Sequence, residues 1–190
     1  MTRTPSDLLA GLGPERAAHS RQVARTVAAI APHHCHIDQV GDLVTAALLH
    51  DIGYHPDLAR TGFHPLDGAA YLAEHHHPLP VCYLVATHTA AHLEAQARGI
   101  PTTAFTPYLP HDPETYETAR AVLTYADLTT SHRGQPCTVQ DRLAGILARY
   151  DTGPVRDYVQ AHHAELAHAG TTPLGLLDDQ AATLRHTPGH

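Results

Sequence analysis

The ten residues ALLHDIGYHP, at positions 47–56, set His50 and Asp51 side by side at the end of an apolar run, with Gly53 two residues later. Burying two adjacent polar side chains is costly unless something pairs with them. Upstream, from Ile37, the residues Val40, Val44, Ala47 and Leu48 fall on related helical faces. The run therefore predicts a helix that carries the His-Asp pair to its mouth and stops at Gly53. What meets that pair must come from elsewhere in the chain.

On either side, the chain reads as helices separated by Pro and Gly, with little of the alternation that marks strands. Pro14, a favoured first-turn residue, opens a helix running to about Ala31, with Ala17, Val23, Val27 and Ile30 as its apolar stripe. HPLDGAAYLAEHH opens another, with His64 near its cap, Pro65 at the first position and Asp67 in the first turn, where capping is its simplest role. PVCYLVATHTAAHLEAQARG (80–99) predicts one unbroken helix closing at Gly99, and the Pro-rich residues 100–112 form a connection. Three more helices follow over 114–132, 138–150 and 154–170, and the tail has room for a further short one. The expectation is an all-α chain of about seven helices: an N-terminal segment (1–13), one domain (14–170) and a C-terminal tail (171–190).

The 12 basic residues are all Arg, against 19 acidic ones, for a formal charge of -7. Such a balance disfavours extended contact with nucleic acid or an anionic membrane, but lets a local arginine cluster grip one small phosphate. Three widely spaced cysteines, Cys35, Cys82 and Cys137, suggest a reducing compartment rather than a disulfide framework. With no signal-like or membrane-spanning segment, the expected location is the cytoplasm. Of the 19 histidines, HHCH at 33–36 and HHH at 75–77 lie beside Pro and read as exposed turns. Cys35 has no partner pair at zinc-finger spacing.

The informative polar residues lie inside the apolar helices: His19, His50, Asp51, His88 and Asp127, joined by His64 at a helix start. Asp127, in AVLTYADLTT, would suffer a large desolvation penalty if unpaired. A divalent cation would neutralise it. Imidazole nitrogen with carboxylate oxygen suits Mn, Fe, Zn or Ni. These residues come from separate helices, so spacing alone does not prove that they converge.

Order and context supply more. HSRQVA (His19), LLHDIG (His50, Asp51), GFHPLDGAAYL (His64), VATHTAA (His88) and LTYADLTT (Asp127) together resemble the HD-domain superfamily of metal-dependent phosphohydrolases, over residues 15–132. The resemblance implies a single-domain helical bundle. It implies a core metal site of His19, His50, Asp51 and Asp127, with Asp51 placed to bridge two ions and to serve in catalysis. His64 and His88 match the extra pair of the dinuclear branch, which includes the HD-GYP cyclic-dinucleotide phosphodiesterases and bacterial hydrolases that split diadenosine tetraphosphate. The implied cofactor is two divalent transition-metal ions, Fe or Mn first and Zn or Ni as alternatives. The implied reaction is cleavage of a phosphoester or phosphoanhydride of a small nucleotide-like substrate by a hydroxide shared between two ions.

Departures from the family pattern matter too. Tyr54 stands where many of these phosphohydrolases carry Lys, and the chain has no Lys. Positive charge at the phosphate must then come from Arg16, Arg60 or Arg133, with Tyr54 itself a candidate substrate contact. No GYP element stands in its expected place, which disfavours cyclic di-GMP cleavage. His92, four residues after His88, is a candidate proton donor or an exposed helical histidine. The runner-up function is a mixed-valent di-iron oxygenase, since inositol and phosphonate oxygenases share these six ligands. Residues 1–18 lack the Tyr of the phosphonate branch, and Glu15 is their only Glu. A third reading is a non-catalytic ligand-sensing module. Substrate identity and oligomeric state are not encoded in any readable motif.

Overall fold

Thr4 accepts the backbone N–H of Asp7 while Asp7 accepts that of Thr4, a reciprocal cap that starts helix α1 (Pro5–Ala10). The expectation of a plain N-terminal segment over 1–13 is corrected here, since Leu8 and Leu9 of this helix are buried. The computed structural model describes residues 3–171, and the short helix expected in the tail lies outside the described residues. Among them the only β pairing is an isolated bridge between Thr130 and Pro136. The all-α expectation therefore holds.

Helix α2 (Pro14–Ile30) buries Ala17, Ser20, Val23, Ala24 and Val27, the 3–4 spacing of a single helical face. It packs along α3 (Ile37–Leu49), which in turn meets α5 (Leu79–Thr87). Helix α4 (His64–Glu74) lies against α5, and α7 (Glu117–Leu128) closes onto α2. Leu43, Leu49, Leu72, Val85 and Leu123 fill the core between them. Helices α8 (Val139–Arg149), α9 (Pro154–Ala161) and α10 (His163–Ala169) gather around Leu143, Tyr158, Val159 and Leu166, a second and smaller apolar cluster. No helix of the described residues is long and apolar enough to cross a membrane.

Three further local expectations are corrected. Residues 80–99 do not form one helix: the chain breaks at His88–Ala90, and α6 (Ala91–Ala97) starts afresh. Thr89 and Ala90 both adopt left-handed backbone, with φ of 49° and 56°, which is unfavourable for a β-branched residue. The break is held by tertiary bonds: the Thr89 hydroxyl donates to Asp127, and the Tyr158 hydroxyl donates to the Thr89 carbonyl. Likewise 154–170 divides at His162 into α9 and α10.

The third correction concerns Gly53. It does not stop α3, which ends at Leu49, but sits in the following 3-10 turn (Ile52–Tyr54), whose backbone touches α4. A Cβ there would lie 2.0 Å from the His64 carbonyl oxygen, so only glycine allows the approach.

Candidate metal centre

Five elements deliver side chains to one buried point. His19 comes from the middle of α2, His50 and Asp51 from the turn after α3, and His64 from the first position of α4. His88 comes from the break after α5, and Asp127 from the last turn of α7. Adjacent imidazoles lie with ring centroids 5.1–5.3 Å apart, in the order His19, His50, His88, His64. Asp127 Oδ1 is 3.0 Å from His19 Nε2, and Asp51 Oδ1 is 3.6 Å from His50 Nε2 and 3.5 Å from His64 Nε2. The structure thus brings together the six residues that the sequence could only line up.

The hydrogen bonds of the imidazoles show what the cluster is built to hold. His19, His50 and His88 each turn Nδ1 to a backbone carbonyl, of Ser131, Ala47 and Val85, at 3.0, 2.8 and 2.7 Å. A carbonyl only accepts, so Nδ1 carries the proton and Nε2 faces the cluster as a bare lone pair. His19 Nε2 and His50 Nε2 are buried with no hydrogen-bond partner, and His64 Nε2 faces His88 Nε2 at 3.2 Å. Orphaned lone pairs in a dry interior are costly, and the backbone-anchored imidazole is the arrangement that orients a metal-binding histidine. Three overlapping groups of donors form: His19–His50–Asp51, His50–His88–Asp127 and Asp51–His64–His88, each with ligand atoms within 4.8 Å of one another. The residues present fit a divalent cation.

The electrostatics agree. Burial, opposed by Asp51 and Asp127, lowers the His50 pKa to about 4, and burial also takes His64 well below its ordinary value. Both imidazoles stay neutral, as ligands must be. Burial works against the charges on Asp51 and Asp127, but neighbouring groups outweigh it. The Arg16 guanidinium holds Asp51 low, and the Arg142 guanidinium holds Asp127 low. Arg16 Nη1 lies 2.6 Å from Asp51 Oδ2, and Arg142 Nη2 lies 3.0 Å from Asp127 Oδ1.

The cluster opens into a cavity of about 510 Å³ where α8 and α9 face the main body. Arg16 crosses this opening with its guanidinium 3.5 Å over the Tyr54 ring, whose other face stacks on His64 with centroids 4.0 Å apart. Arg142 and Arg149 enter from α8, and Ile146, Tyr150, Val159 and Tyr158 form an apolar and aromatic wall. Glu94, from α6, reaches the cavity with its charge shared by Arg98 at 2.6 Å.

Three of the expected substrate or catalytic residues are not brought to the cavity. Arg60 is exposed and pairs with Glu74 on the outside of α4, one contact at 2.7 Å. Arg133 is exposed and pairs with Glu15 at 3.0 Å. His92 is exposed on α6, because the break at His88–Ala90 turns α6 onto a new axis and ends the one-turn register with His88. Asp67 is buried but does not cap its own helix: it accepts the backbone N–H groups of Arg60, Thr61 and Gly62 and the Thr61 hydroxyl. Every donor group found among the described residues lies in the central cluster, and none includes Cys35.

Sequence reasoning missed Arg142, Arg149, Tyr150 and Tyr158. The signal available was slight: Arg142 and Arg149 are seven apart in DRLAGILAR, two turns along one helical face. Nothing in that spacing says what the face covers.

A family model described as HD domain matches residues 16–151, which reaches past the last ligand to include α8. No curated protein and no solved structure matches the chain.

Proposed function

The chain belongs to the HD-domain family, and from that premise we propose that it is a metal-dependent phosphohydrolase acting on a small phosphorylated substrate. The observation that carries this reading is the junction of two features: bare Nε2 atoms around two buried carboxylates, and guanidinium groups at the mouth of the same cluster. His19, His50, Asp51 and Asp127 would hold one divalent ion. Asp51, which shares one donor group with His19 and another with His64 and His88, would join a second ion to it. Bound ions of this kind activate water as a nucleophile and polarise a phosphoryl oxygen.

The chain's own part is charge and orientation. Asp51 and Asp127 already face one guanidinium each, so any divalent cation added to the cluster leaves the site net positive and suited to an anion. Arg16 gives one N–H to Asp51 and, pinned on Tyr54, keeps its remaining donors for a ligand. It supplies the positive charge that a lysine after the His-Asp-Ile-Gly stretch would otherwise bring, and Tyr54 is the platform that aims it. Arg142 does the same from the Asp127 side. Guanidinium groups suit the bidentate geometry of phosphate oxygens. The apolar wall takes the organic part of the substrate and limits water around the reacting group.

The test is phosphate release by full-length protein loaded with Mn(II) or Fe(II), across phosphomonoesters, nucleotides and phosphoanhydrides. Release from some of them, abolished by Asp51→Ala, is the expected result. No release from any, with oxygen consumed in the presence of an organic substrate, would overturn the reading in favour of the di-iron oxygenase. Glu15, the sole acidic residue before His19 other than Asp7, is engaged by Arg133, which gives the oxygenase reading no support.

A further inference from the structure

Resting on the hydrolase reading, the reacting phosphoryl group lies among the cluster, Arg16 and Arg142, and one guanidinium at the cavity wall has no task. Arg149 lines the main cavity and also a crevice of about 80 Å³ beside it. Among the described residues it has no ion pair, and burial together with the neighbouring cations Arg142 and Arg16 disfavours its charge. The carboxylates nearby are already engaged. Glu15 pairs with Arg133, Glu94 with Arg98, Asp51 with Arg16 and Asp127 with Arg142. Asp141 accepts the Thr138 hydroxyl at the start of α8.

Arg149 therefore stands beside two other guanidinium groups with no carboxylate of its own, and an arriving anion relieves the repulsion it meets there. Arg142 also lines both spaces, and its Nε is buried without a partner. Seven residues separate Arg142 from Arg149 on α8, two turns and a rise of about 10 Å along one helical face, so Arg149 stands farther along the helix than Arg142, which meets Asp127.

We infer that Arg149, with the free edge of Arg142, forms a second anion subsite, and that the substrate carries a second phosphate group beyond the one that reacts. A simple monoester would leave this subsite unfilled. A phosphoanhydride or an organic bisphosphate would fill it.

The experiment measures binding, not turnover. Chelator-treated full-length protein is titrated with orthophosphate and with tripolyphosphate by calorimetry, as wild type, Arg149→Gln, Arg149→Lys and Arg25→Gln. The last removes the same charge from an exposed position on α2. Wild type is expected to prefer tripolyphosphate. Arg149→Gln should cut that preference about tenfold or more, the loss of charge-assisted hydrogen bonds, while Arg149→Lys restores part of it and Arg25→Gln leaves it. An unchanged preference in Arg149→Gln, or an equal loss in Arg25→Gln, overturns the subsite. Because no metal and no turnover enter the measurement, Arg149-dependent binding without any phosphoester hydrolysis would sink the hydrolase reading and keep the subsite. Hydrolysis with an Arg149-independent preference would do the reverse.

Discussion

Two carboxylates lie buried in apolar helices: Asp67 in the first turn of α4, and Asp127 at the end of α7. Asp67 is completed by three backbone N–H groups and a hydroxyl from the loop 60–62 just ahead of its own helix. Those partners are fixed parts of the main chain, so the carboxylate is an anchor that secures the approach to His64. Asp127 meets only side chains, His19, Thr89 and Arg142, which converge from three other elements and face a cavity. A buried charge finished by backbone is structural; a buried charge finished by side chains beside open space is available for chemistry.

The sharpest way to break this contrast is to remove one carboxylate from each region. Asp51→Ala, on the Asp127 side, should abolish both metal retention after dialysis and phosphate release while leaving the helical circular dichroism in place; retained metal would refute the ligand assignment. Asp67→Ala should behave oppositely. Stranding the donors of residues 60–62 should cost about 3 kcal/mol or more, a fall in Tm of roughly 10 °C, with metal stoichiometry intact below the transition.

Acid should separate the regions as well. The His50 pKa is depressed from 6.5 to about 4, so the stability of its neutral form is complete above pH 6.5 and is lost as pH falls towards 4. Chelator-treated protein should lose up to about 3 kcal/mol across that window, read by denaturant titration at each pH. Asp51 and Asp127, held below their ordinary range, add their own loss only at lower pH. The Asp67→Ala variant should keep the same window, since Asp67 is not in the cluster.

The gentlest probe is Thr89→Val, which keeps the branched shape and removes the hydroxyl that donates to Asp127 at 2.6 Å. Metal affinity should fall about 10- to 100-fold, the usual cost of losing a bond that orients a ligand, with little change in Tm. Thr89→Ser should restore it. Equal affinity in all three would show that Asp127 needs no such positioning.

Much of the ligand set was legible before any coordinates, because each of its members is a polar residue in an apolar helical context, and that conflict shows in one dimension. His19, His50, Asp51, His64, His88 and Asp127 all carried it. Asp67, in the first turn of its helix, reads in the sequence as a cap; its real partners are backbone groups of residues 60–62, which no side-chain pattern announces. The break at His88–Ala90 left no trace: THTAAH holds neither Gly nor Pro, and its left-handed residues are stabilised by Asp127 and Tyr158 from distant helices. Arg60 and Arg133 looked as promising as Arg16 because charge can be read from a sequence but its direction cannot.

For ALLHDIGYHP itself, hydrophobic periodicity and the cost of burying His50 with Asp51 determined a helix ending in a polar pair that something must neutralise. That information is local, and so it belongs to the sequence. Gly53, Tyr54 and the arginines were decided by tertiary structure alone. Gly53 is needed because α4 passes within contact of its backbone, Tyr54 because Arg16 and His64 close on its two faces, and Arg142 because α8 folds back over the cluster. Each depends on an approach between segments far apart in the chain, and no spacing of residues along one helix can encode it.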